Sequence, residues 1–424
     1  MNGMENEQLY TKILTEELVP AMGCTEPIAL ALAGAKAREV LGCLPDRVVV
    51  CASGSIIKNV KSVVVPHTDR MRGIPAAVSV GIVAGDASRM LEVISGISAE
   101  QTRAAKEYME NTPIEIHCIE GGLTFDVLLS VYAGEQEATV RIANAHTNIV
   151  FIRHNGQVLL DIPVKCESDE GMTDHSVLSG EGIWEYATTA PLAPVKPLLD
   201  RQIAYNTAIA AEGIAGEYGA CIGRVMLTAY GDGVRNRAKA MAAAGSDARM
   251  NGCELPVIIN SGSGNQGITC CVPLVEYAKE LGSDRETLYR ALLLSNLLAI
   301  HIKSGIGRLS AYCGAVSAGA AAGAGIAYLH GGDYKTVVHT VVNALGIVSG
   351  IICDGAKASC AAKIAASVDA GILGFDMYRQ GKQFVSGDGI VAKGFEANVR
   401  NIGRLGRDGM KTTDAEILRM MLGK

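Results

Sequence analysis

The length, composition and charge of this sequence exclude several classes of protein. A chain of 424 residues is too long for one ordinary hydrophobic core, so two domains are expected. The formal net charge of -6, without a long basic stretch, argues against a nucleic-acid-binding protein, because binding phosphate requires a basic surface.

The chain contains twelve cysteines, and we expect them to be reduced thiols. The first residues are polar and acidic, without the basic and apolar regions of a secretory signal. A protein that is not exported stays in the reducing cytoplasm, where cysteines are buried side chains, metal ligands or nucleophiles. The question is therefore which cysteines have which role.

The apolar residues are mainly alanine, valine, isoleucine and leucine, alongside 49 glycines. Such small residues suit closely packed helices. Two apolar segments, Ala311–Leu329 and Thr336–Ile352, could mimic membrane spans, but they lack flanking basic residues and an aromatic belt. We therefore expect buried helices and no membrane association, with a membrane carrier kept as an alternative.

Residues 1–190 are predicted to form an α+β domain with an antiparallel sheet. Apolar residues at helical spacing predict helices over 5–18 and 26–41, and Thr25 is a good N-cap for the second. Asn155-Gly156 stands between two apolar runs and is the strongest short hairpin signal in the chain. The predicted strands are 47–52, 114–119, 125–132, 138–143, 149–153 and 158–162.

Residues 191–424 are predicted to form an all-α domain. Pro191, Pro194 and Pro197 mark the best linker in the chain. Beyond them almost no strand signal remains, and no internal repeat is evident. The predicted helices are 201–215, 225–244, 268–281, 285–302, 311–329, 334–350 and 356–368.

Three cysteines of the second domain stand beside glycines, where backbone can approach a ligand closely. Cys313 opens a predicted helix, Cys353 follows the end of another, and Cys360 lies within a third. Thiolates from different elements can hold an iron–sulfur cluster. The spacing has no C-x-x-C, so three buried thiols in a Gly/Ala-rich core remain the alternative.

Cys24 lies directly before the predicted N-cap Thr25. The partial positive charge of a helix N-terminus favours a thiolate, which could serve as a base. The alternative is a buried cysteine that packs against the start of the helix.

The glycine-rich segment Ser261–Gly267 follows an apolar run and precedes a predicted helix. Such turns bind anions through backbone N–H groups. Neither a P-loop nor a Rossmann fingerprint is present, so an amino-acid carboxylate suits the segment better than a phosphate. We expect Ser261, Ser263, Asn265 and Gly267, together with Thr25, to bind substrate, and a turn that serves only packing is the alternative.

A few further residues could contribute to the same site. His146, in a loop between two strands, could move a proton or hydrogen-bond a carboxylate, or it could simply tie the strands together. Lys58 and Asn59 are weaker candidates. Cys270 and Cys271 could approach a cluster, although two buried thiols are the better interpretation.

These motifs resemble those of the cysteine desulfidase family, which is related to the α-chain of bacterial L-serine dehydratases. The matching pieces are Gly23–Pro27, Ser261–Gly267, the segment around Cys313, and Cys353–Cys360, and together they span nearly the whole chain. The resemblance implies a [4Fe–4S] cluster on Cys313, Cys353 and Cys360. It also implies that Cys24 is the base and that L-cysteine is split into sulfide, ammonia and pyruvate.

The chemistry implied by this resemblance is coherent. Three thiolates on four irons leave one iron open, and an open position is what a catalytic metal needs. Sulfide leaves more easily than hydroxide, since the pKa of a thiol is about 8.5 and that of water about 15.7. The rivals are the same elimination on L-serine and a non-catalytic iron–sulfur sensor, and homo-oligomerisation is left open.

Overall fold

The computed structural model describes residues 3–23, 25–119, 122–164, 173–307 and 310–423. The chain has the predicted mixed α+β fold, with a sheet in the N-terminal part and helices in the C-terminal part. The strands are β1 (Pro20–Met22), β2 (Arg47–Ser53), β3 (Ile114–Ile119), β4 (Asp126–Ala133), β5 (Gln136–Ala143), β6 (Ile149–His154), β7 (Gln157–Asp161) and β8 (Pro256–Ile258).

The helices alternate with these strands at first and then follow one another. Those of the N-terminal part are α1 (Gly3–Glu17), α2 (Thr25–Leu41), α3 (Gly54–Val60), α4 (Gly73–Ala84), α5 (Ala99–Asn111) and α6 (Gly180–Thr189). The others are α7 (Lys196–Ala215), α8 (Ile222–Tyr230), α9 (Val234–Met250), α10 (Gly264–Leu281), α11 (Arg285–Ile306), α12 (Gly314–Leu329), α13 (Tyr334–Val348), α14 (Ser359–Arg379), α15 (Phe395–Arg404) and α16 (Lys411–Leu422). Two short 3-10 helices (Ala87–Glu92 and His175–Val177) and a π-helical turn (Leu405–Gly409) complete the set.

The larger sheet has the strand order β3-β2-β4-β5-β6-β7. Along the run β2-β4-β5-β6-β7 each strand is antiparallel to the next, whereas β2 and β3 are parallel. Parallel strands need a crossover connection, and α3, α4 and α5 lie between β2 and β3 in the chain. The edge pair β2–β3 therefore makes the sheet mixed.

The predicted Asn-Gly hairpin is present between β6 and β7. Asn155 and Gly156 both have positive φ, 46° and 80°, and His154 pairs with Gln157. Both central residues of a type I′ turn need positive φ, and Asn followed by Gly meets that need with little strain. This turn fixes the register of the last two strands.

Two hydrophobic cores divide the structure. One lies between the sheet and α2, α4 and α5, and includes Leu30, Val50, Val78 and Leu129. The other lies among the later helices and also takes in α1 and α6, through residues such as Leu14 and Ile183. The two parts are joined by a small sheet in which β1 pairs with β8. The domain boundary at residue 190 stays a prediction.

Several elements differ from their predicted bounds. The helix predicted over 225–244 is two helices, α8 and α9, because the chain turns at Gly231, where φ is 77°. Helices α3, α4, α5, α6, α15 and α16 were not predicted. The strand β8 forms only because β1, more than two hundred residues earlier, pairs with it. In the described part of the chain, none of the helices combines the length and apolar character that a membrane span requires.

Candidate active site

A short antiparallel bridge brings two of the predicted ligands together. Tyr312 pairs with Ile352, the amide of Cys313 donates to the carbonyl of Ile351 (3.0 Å), and the amide of Cys353 donates to the carbonyl of Ala311 (2.6 Å). Each cysteine follows the bridged residue of its own segment, so both side chains point to the same face of the pair. Their thiols interact closely enough that each shifts the pKa of the other.

Cys360 approaches the same face from a turn that lysines hold in place. Its amide donates to the carbonyl of Lys357 (3.0 Å), and its thiol contacts the carbonyl of Gly355 (3.6 Å). Asp354 pairs with both Lys357 and Lys363. Burial alone would raise the pKa of Asp354, but the two lysines outweigh it and lower that pKa. The turn therefore presents Cys360 at the start of α14, and its thiol is electrostatically coupled to Cys353.

The three thiols do not ionise alike. The hydrogen bond to Cys353 and burial both raise the pKa of Cys313. The same hydrogen bond lowers the pKa of Cys353 against the effect of burial, helped by the positive charges of Lys58 and Lys303. Burial raises the pKa of Cys360. Cys353 is thus the first of the three to become a thiolate.

This donor set fits a cluster better than a single metal ion. In the described ranges, no three His, Cys, Asp or Glu side chains are arranged to hold one ion. Three half-buried thiols from separate segments, with Lys58 and Lys303 nearby to offset their charge, are the kind of donor set that an iron–sulfur cluster uses.

The N-terminal part of the chain reaches this region through α2 and α3. Lys58 of α3 pairs with Asp414 of α16, and its carbonyl lies so close to Gly355 that a Cβ there would come within 2.0 Å. Glu26, in the first turn of α2, accepts hydrogen bonds from Asn59 (3.1 Å) and from Thr25 (3.4 Å). The weaker sequence candidates Lys58 and Asn59 therefore connect α2 to the segment that carries Cys353.

Cys24, the predicted base, lies outside the described residues. Its two neighbours are described: Gly23 has φ of 58°, and Thr25 is the first residue of α2. A Cβ on Gly23 would lie 2.7 Å from the ring of Pro66. A glycine is therefore required there both by the backbone conformation and by the close contact.

The glycine-rich segment is a tight turn that leads into α10. Asn260 and Ser263 exchange backbone hydrogen bonds (3.1 and 3.0 Å), and the central residues Ser261 and Gly262 have φ of 49° and 76°. Beneath the turn, the Asn260 amide donates to Asn296, and the Ser261 hydroxyl donates to Asn260. Buried side-chain amides thus hold the turn rigidly in place.

The remaining residues of this segment have different roles. Asn265 accepts a long hydrogen bond from Arg249 (3.3 Å). Gln266 fills the space beside Gly314, where a Cβ would lie 2.6 Å from its side chain, and this places α10 next to the start of α12 and Cys313. Gly267 packs against β8, since a Cβ would lie 1.9 Å from the carbonyl oxygen of Ile258.

A cavity of about 540 Å³ opens beside the turn. Its lining includes Ser261, Lys303, Glu17 and His175. Lys303 also acts electrostatically on Cys353, so one lining residue links the cavity to the cysteines. Its volume is in the range typical of small-molecule sites. The sequence did not predict Lys303, because a buried lysine inside an apolar helix carries no motif.

His146 lies at one end of the strands of the large sheet, in the loop between β5 and β6. Its ring meets the ring of Phe125 edge-on at 4.7 Å between centroids. The backbone of the same loop is tied to Phe125, since the amide of Asn144 donates to its carbonyl (3.0 Å). The Ser53 hydroxyl donates to the neighbouring carbonyl of Thr124, so this end of the sheet adjoins the start of α3.

Cys270 and Cys271 are buried completely within the helical core. Burial raises the pKa of Cys270 to about 12 and also raises that of Cys271. Cys43 is exposed and Cys253 is buried. Cys166, another cysteine assigned to packing, lies outside the described residues.

Comparison with known proteins matches this chain to one described family and to several relatives. Residues 88–419, which include all three cysteines, match the family described as serine dehydratase alpha chain. A UPF0597 protein of Desulfitobacterium hafniense is 55% identical over 417 residues, covering 98% of this chain and 97% of that protein. A UPF0597 protein of Lachnoclostridium phytofermentans is 49% identical over 410 residues (97% and 98%), and one of Porphyromonas gingivalis is 35% identical over 429 residues (99% of each). The similarity therefore extends over nearly the whole chain.

Proposed function

Because the chain belongs to the serine dehydratase alpha chain family, we propose that it is a [4Fe–4S]-dependent amino-acid lyase that acts on L-cysteine. Cys313, Cys353 and Cys360 would hold the cluster. The products would be sulfide, ammonia and pyruvate, formed without pyridoxal phosphate. A cluster with an open iron needs a reducing compartment, so the cytoplasm is the proposed location.

One observation carries the proposal. The Tyr312–Ile352 bridge aligns Cys313 and Cys353 on one face, and the turn before α14 brings Cys360 toward them. The bridge joins two residues that are forty positions apart in sequence, and the local structure of these segments does not by itself require the three thiols to converge. A convergence of cysteines with lysine counter-charges supports a cluster site rather than simple packing.

The overall reaction balances with one water. The α C–H bond breaks and its electron pair forms the double bond between Cα and Cβ, while the Cβ–S bond breaks and sulfur leaves with its pair as hydrosulfide. The enamine becomes an imine, which water hydrolyses to pyruvate and ammonium. When bound, the cluster supplies a Lewis-acidic iron that has no protein ligand.

The chain's own residues would bind the substrate and move the proton. Cys24 precedes the first residue of α2, where the helix N-terminus favours a thiolate that can accept the α-proton. The turn at Ser261–Gly262 and the first turn of α10 would direct N–H groups toward the substrate carboxylate. Lys58 and Lys303 would hold the thiolates of the cluster ligands in their charged form.

L-serine is the second candidate substrate, and the description of the matched family favours it. The elimination is the same except that hydroxide, a much poorer leaving group than sulfide, must depart. L-cysteine stays the first candidate because the Gly23–Pro27 and Ser261–Gly267 segments resemble those of the desulfidases.

The test is anaerobic incubation of the reconstituted protein with each amino acid. The proposal predicts pyruvate and sulfide from L-cysteine, with a larger kcat/KM than for pyruvate formation from L-serine. A larger value for L-serine would select the second candidate. A brown, iron-containing protein that forms pyruvate from neither would sink the lyase proposal and favour a sensor.

A further inference from the structure

Among the residues that the structure describes, Arg249 is a buried cation without an anionic partner. It is 6% exposed, and Nη1 donates a long hydrogen bond to Asn265 (3.3 Å). Within the described ranges its Nε has no hydrogen-bond partner, and no carboxylate pairs with it. Arginine cannot shed its proton, so this charge is costly unless an anion approaches it.

The guanidinium lies where an anion is already favoured. A Cβ on Gly264, the first residue of α10, would come within 2.3 Å of the Arg249 Nε. The N-terminus of this 18-residue helix carries a partial positive charge and unpaired N–H groups. Two positive groups in contact repel each other. The C-terminal end of α9, which carries Arg249, offsets only part of this repulsion.

Gln266, two residues into the same helix, is a second buried polar side chain with unmet hydrogen bonds. It is 4% exposed, and in the part of the chain that the structure describes its Oε1 has no hydrogen-bond partner. It lies against Gly314, the residue after Cys313. An acceptor and a cation with unmet bonding capacity therefore both lie at the first turn of α10, Arg249 against Gly264 and Gln266 against Gly314.

We infer that Arg249 and Gln266 recognise the two charged groups of an α-amino acid. Arg249, with the N–H groups at the start of α10, binds the carboxylate, and Oε1 of Gln266 accepts a hydrogen bond from the ammonium group. This inference rests on the proposed function for its substrate class and adds two recognition residues to it. The pair selects α-amino acids over amines and simple carboxylic acids.

The test uses probes that cannot undergo elimination. Purified protein is titrated calorimetrically with L-alanine, propionate and ethylamine, and KM for L-cysteine is measured in parallel. Arg249→Met should weaken binding of L-alanine and propionate by at least about tenfold and leave ethylamine unaffected. Gln266→Leu should weaken binding of L-alanine and ethylamine and leave propionate unaffected. KM for L-cysteine should rise in both variants.

Two further variants separate recognition from folding. Asn265→Asp places a carboxylate on the Arg249 guanidinium, so it should raise the unfolding temperature and yet abolish L-alanine binding. Arg237→Met is the control on α9, the helix that also carries Arg249. It removes an arginine that is already paired with Glu276 and Glu280, so it should lower stability without changing KM for L-cysteine.

The outcomes distinguish this inference from the proposed function. Absence of saturable L-alanine binding to the wild type would overturn the inference, as would unchanged binding in Arg249→Met and Gln266→Leu. Pyruvate formation with unchanged KM in these two variants would overturn it while leaving the lyase intact. The predicted binding pattern without any pyruvate formation would uphold the inference and refute the lyase.

Discussion

At the scale of single residues, the environment of each cysteine decides its chemistry. Complete burial raises the pKa of Cys270 to about 12, so this thiol stays protonated and acts as a small apolar side chain. The thiol of Cys313 and, less strongly, the charges of Lys58 and Lys303 lower the pKa of Cys353. Metal ligands must be thiolates. The surroundings of Cys353 thus favour ligation, and those of Cys270 do not.

Replacing any one of Cys313, Cys353 and Cys360 with alanine should abolish cluster binding. Anaerobically reconstituted wild type should be brown and contain about four irons per chain, whereas each variant should be nearly colourless. Iron and acid-labile sulfide analysis gives the measurement. Cys43→Ala, at an exposed cysteine, is the control and should retain full iron content.

Cys24→Ala should keep the cluster but lose elimination activity by about a hundred- to ten-thousand-fold, because a positioned base is removed. Cys24→Ser should be almost as inactive, since a hydroxyl is far harder to ionise. Activity is measured as pyruvate formation, together with exchange of the substrate α-proton for solvent deuterium. Iron loss in either variant would make Cys24 a ligand instead, and wild-type exchange in Cys24→Ala would shift the base role to His146.

Because of Asp247, the free energy of unfolding should fall as pH rises. This carboxyl is fully buried, and burial raises its pKa to about 6 from an ordinary value near 3.8. The folded state binds the proton more tightly than the unfolded state, so the stabilisation is complete below about pH 3.8 and is lost as pH rises through about 6.

The expected loss between pH 4 and pH 7 is about 2–3 kcal/mol from this group. Asp247→Asn should remove that part of the pH dependence, as measured by denaturant unfolding at both pH values. Asp161→Asn, at the exposed end of β7, serves as the control. An unchanged pH dependence in Asp247→Asn would contradict the assignment.

Some residues of the proposed site were readable in the sequence and others were not. Cys313, Cys353 and Cys360 stand out because of their glycine-rich surroundings and their resemblance to a known family. Arg249 and Gln266 do not, because lack of a partner is a property of the folded neighbourhood. Ordinary arginines and glutamines are solvated, and no local pattern marks the buried ones.

At the scale of elements, the glycine and alanine content lets helices pack almost backbone to backbone. A Cβ on Gly371 of α14 would lie 2.3 Å from the carbonyl oxygen of Gly319 in α12, and one on Gly323 would lie 2.5 Å from the carbonyl of Gly371. Cys313 stands at the start of α12 and Cys360 near the start of α14. The close contact of these helices therefore sets how far apart Cys313 and Cys360, two of the proposed ligands, lie.

Gly371→Ala should force α12 and α14 apart. Overpacking of this kind costs about 1–3 kcal/mol, and displacement of Cys313 relative to Cys360 should also reduce the iron content. Denaturant unfolding and iron analysis measure the two effects. Gly233→Ala is the matched control, because a Cβ there meets nothing within 4 Å, and it should change neither by much.

Sequence patterns predicted helices, strands and turns well only where neighbouring residues alone determine the structure. The Asn155-Gly156 turn needs positive φ at two adjacent residues, and the structure has it there. The break between α8 and α9 was missed because apolar residues continue at helical spacing across Gly231. Strand β8 was missed as an element because a three-residue strand depends on its distant partner β1.

At the scale of the whole molecule, the candidate site lies where the two cores meet. Ala356, in the segment between Cys353 and Cys360, packs against the core around the sheet, and Leu418 of α16 does the same. Cys313 packs against the helical core. Sequence patterns predicted both kinds of core, but the joint between them depends on contacts between residues hundreds of positions apart, which no local pattern encodes.

The central claim is that a cluster on three cysteines enables this chain to eliminate sulfide from L-cysteine. The most direct test follows pyruvate and sulfide from one anaerobic sample before iron removal by a chelator, after removal, and after reconstitution. We predict one pyruvate for each sulfide, loss of both with the iron, and recovery of both on reconstitution. Turnover of L-cysteine that persists at the same rate without iron would contradict it.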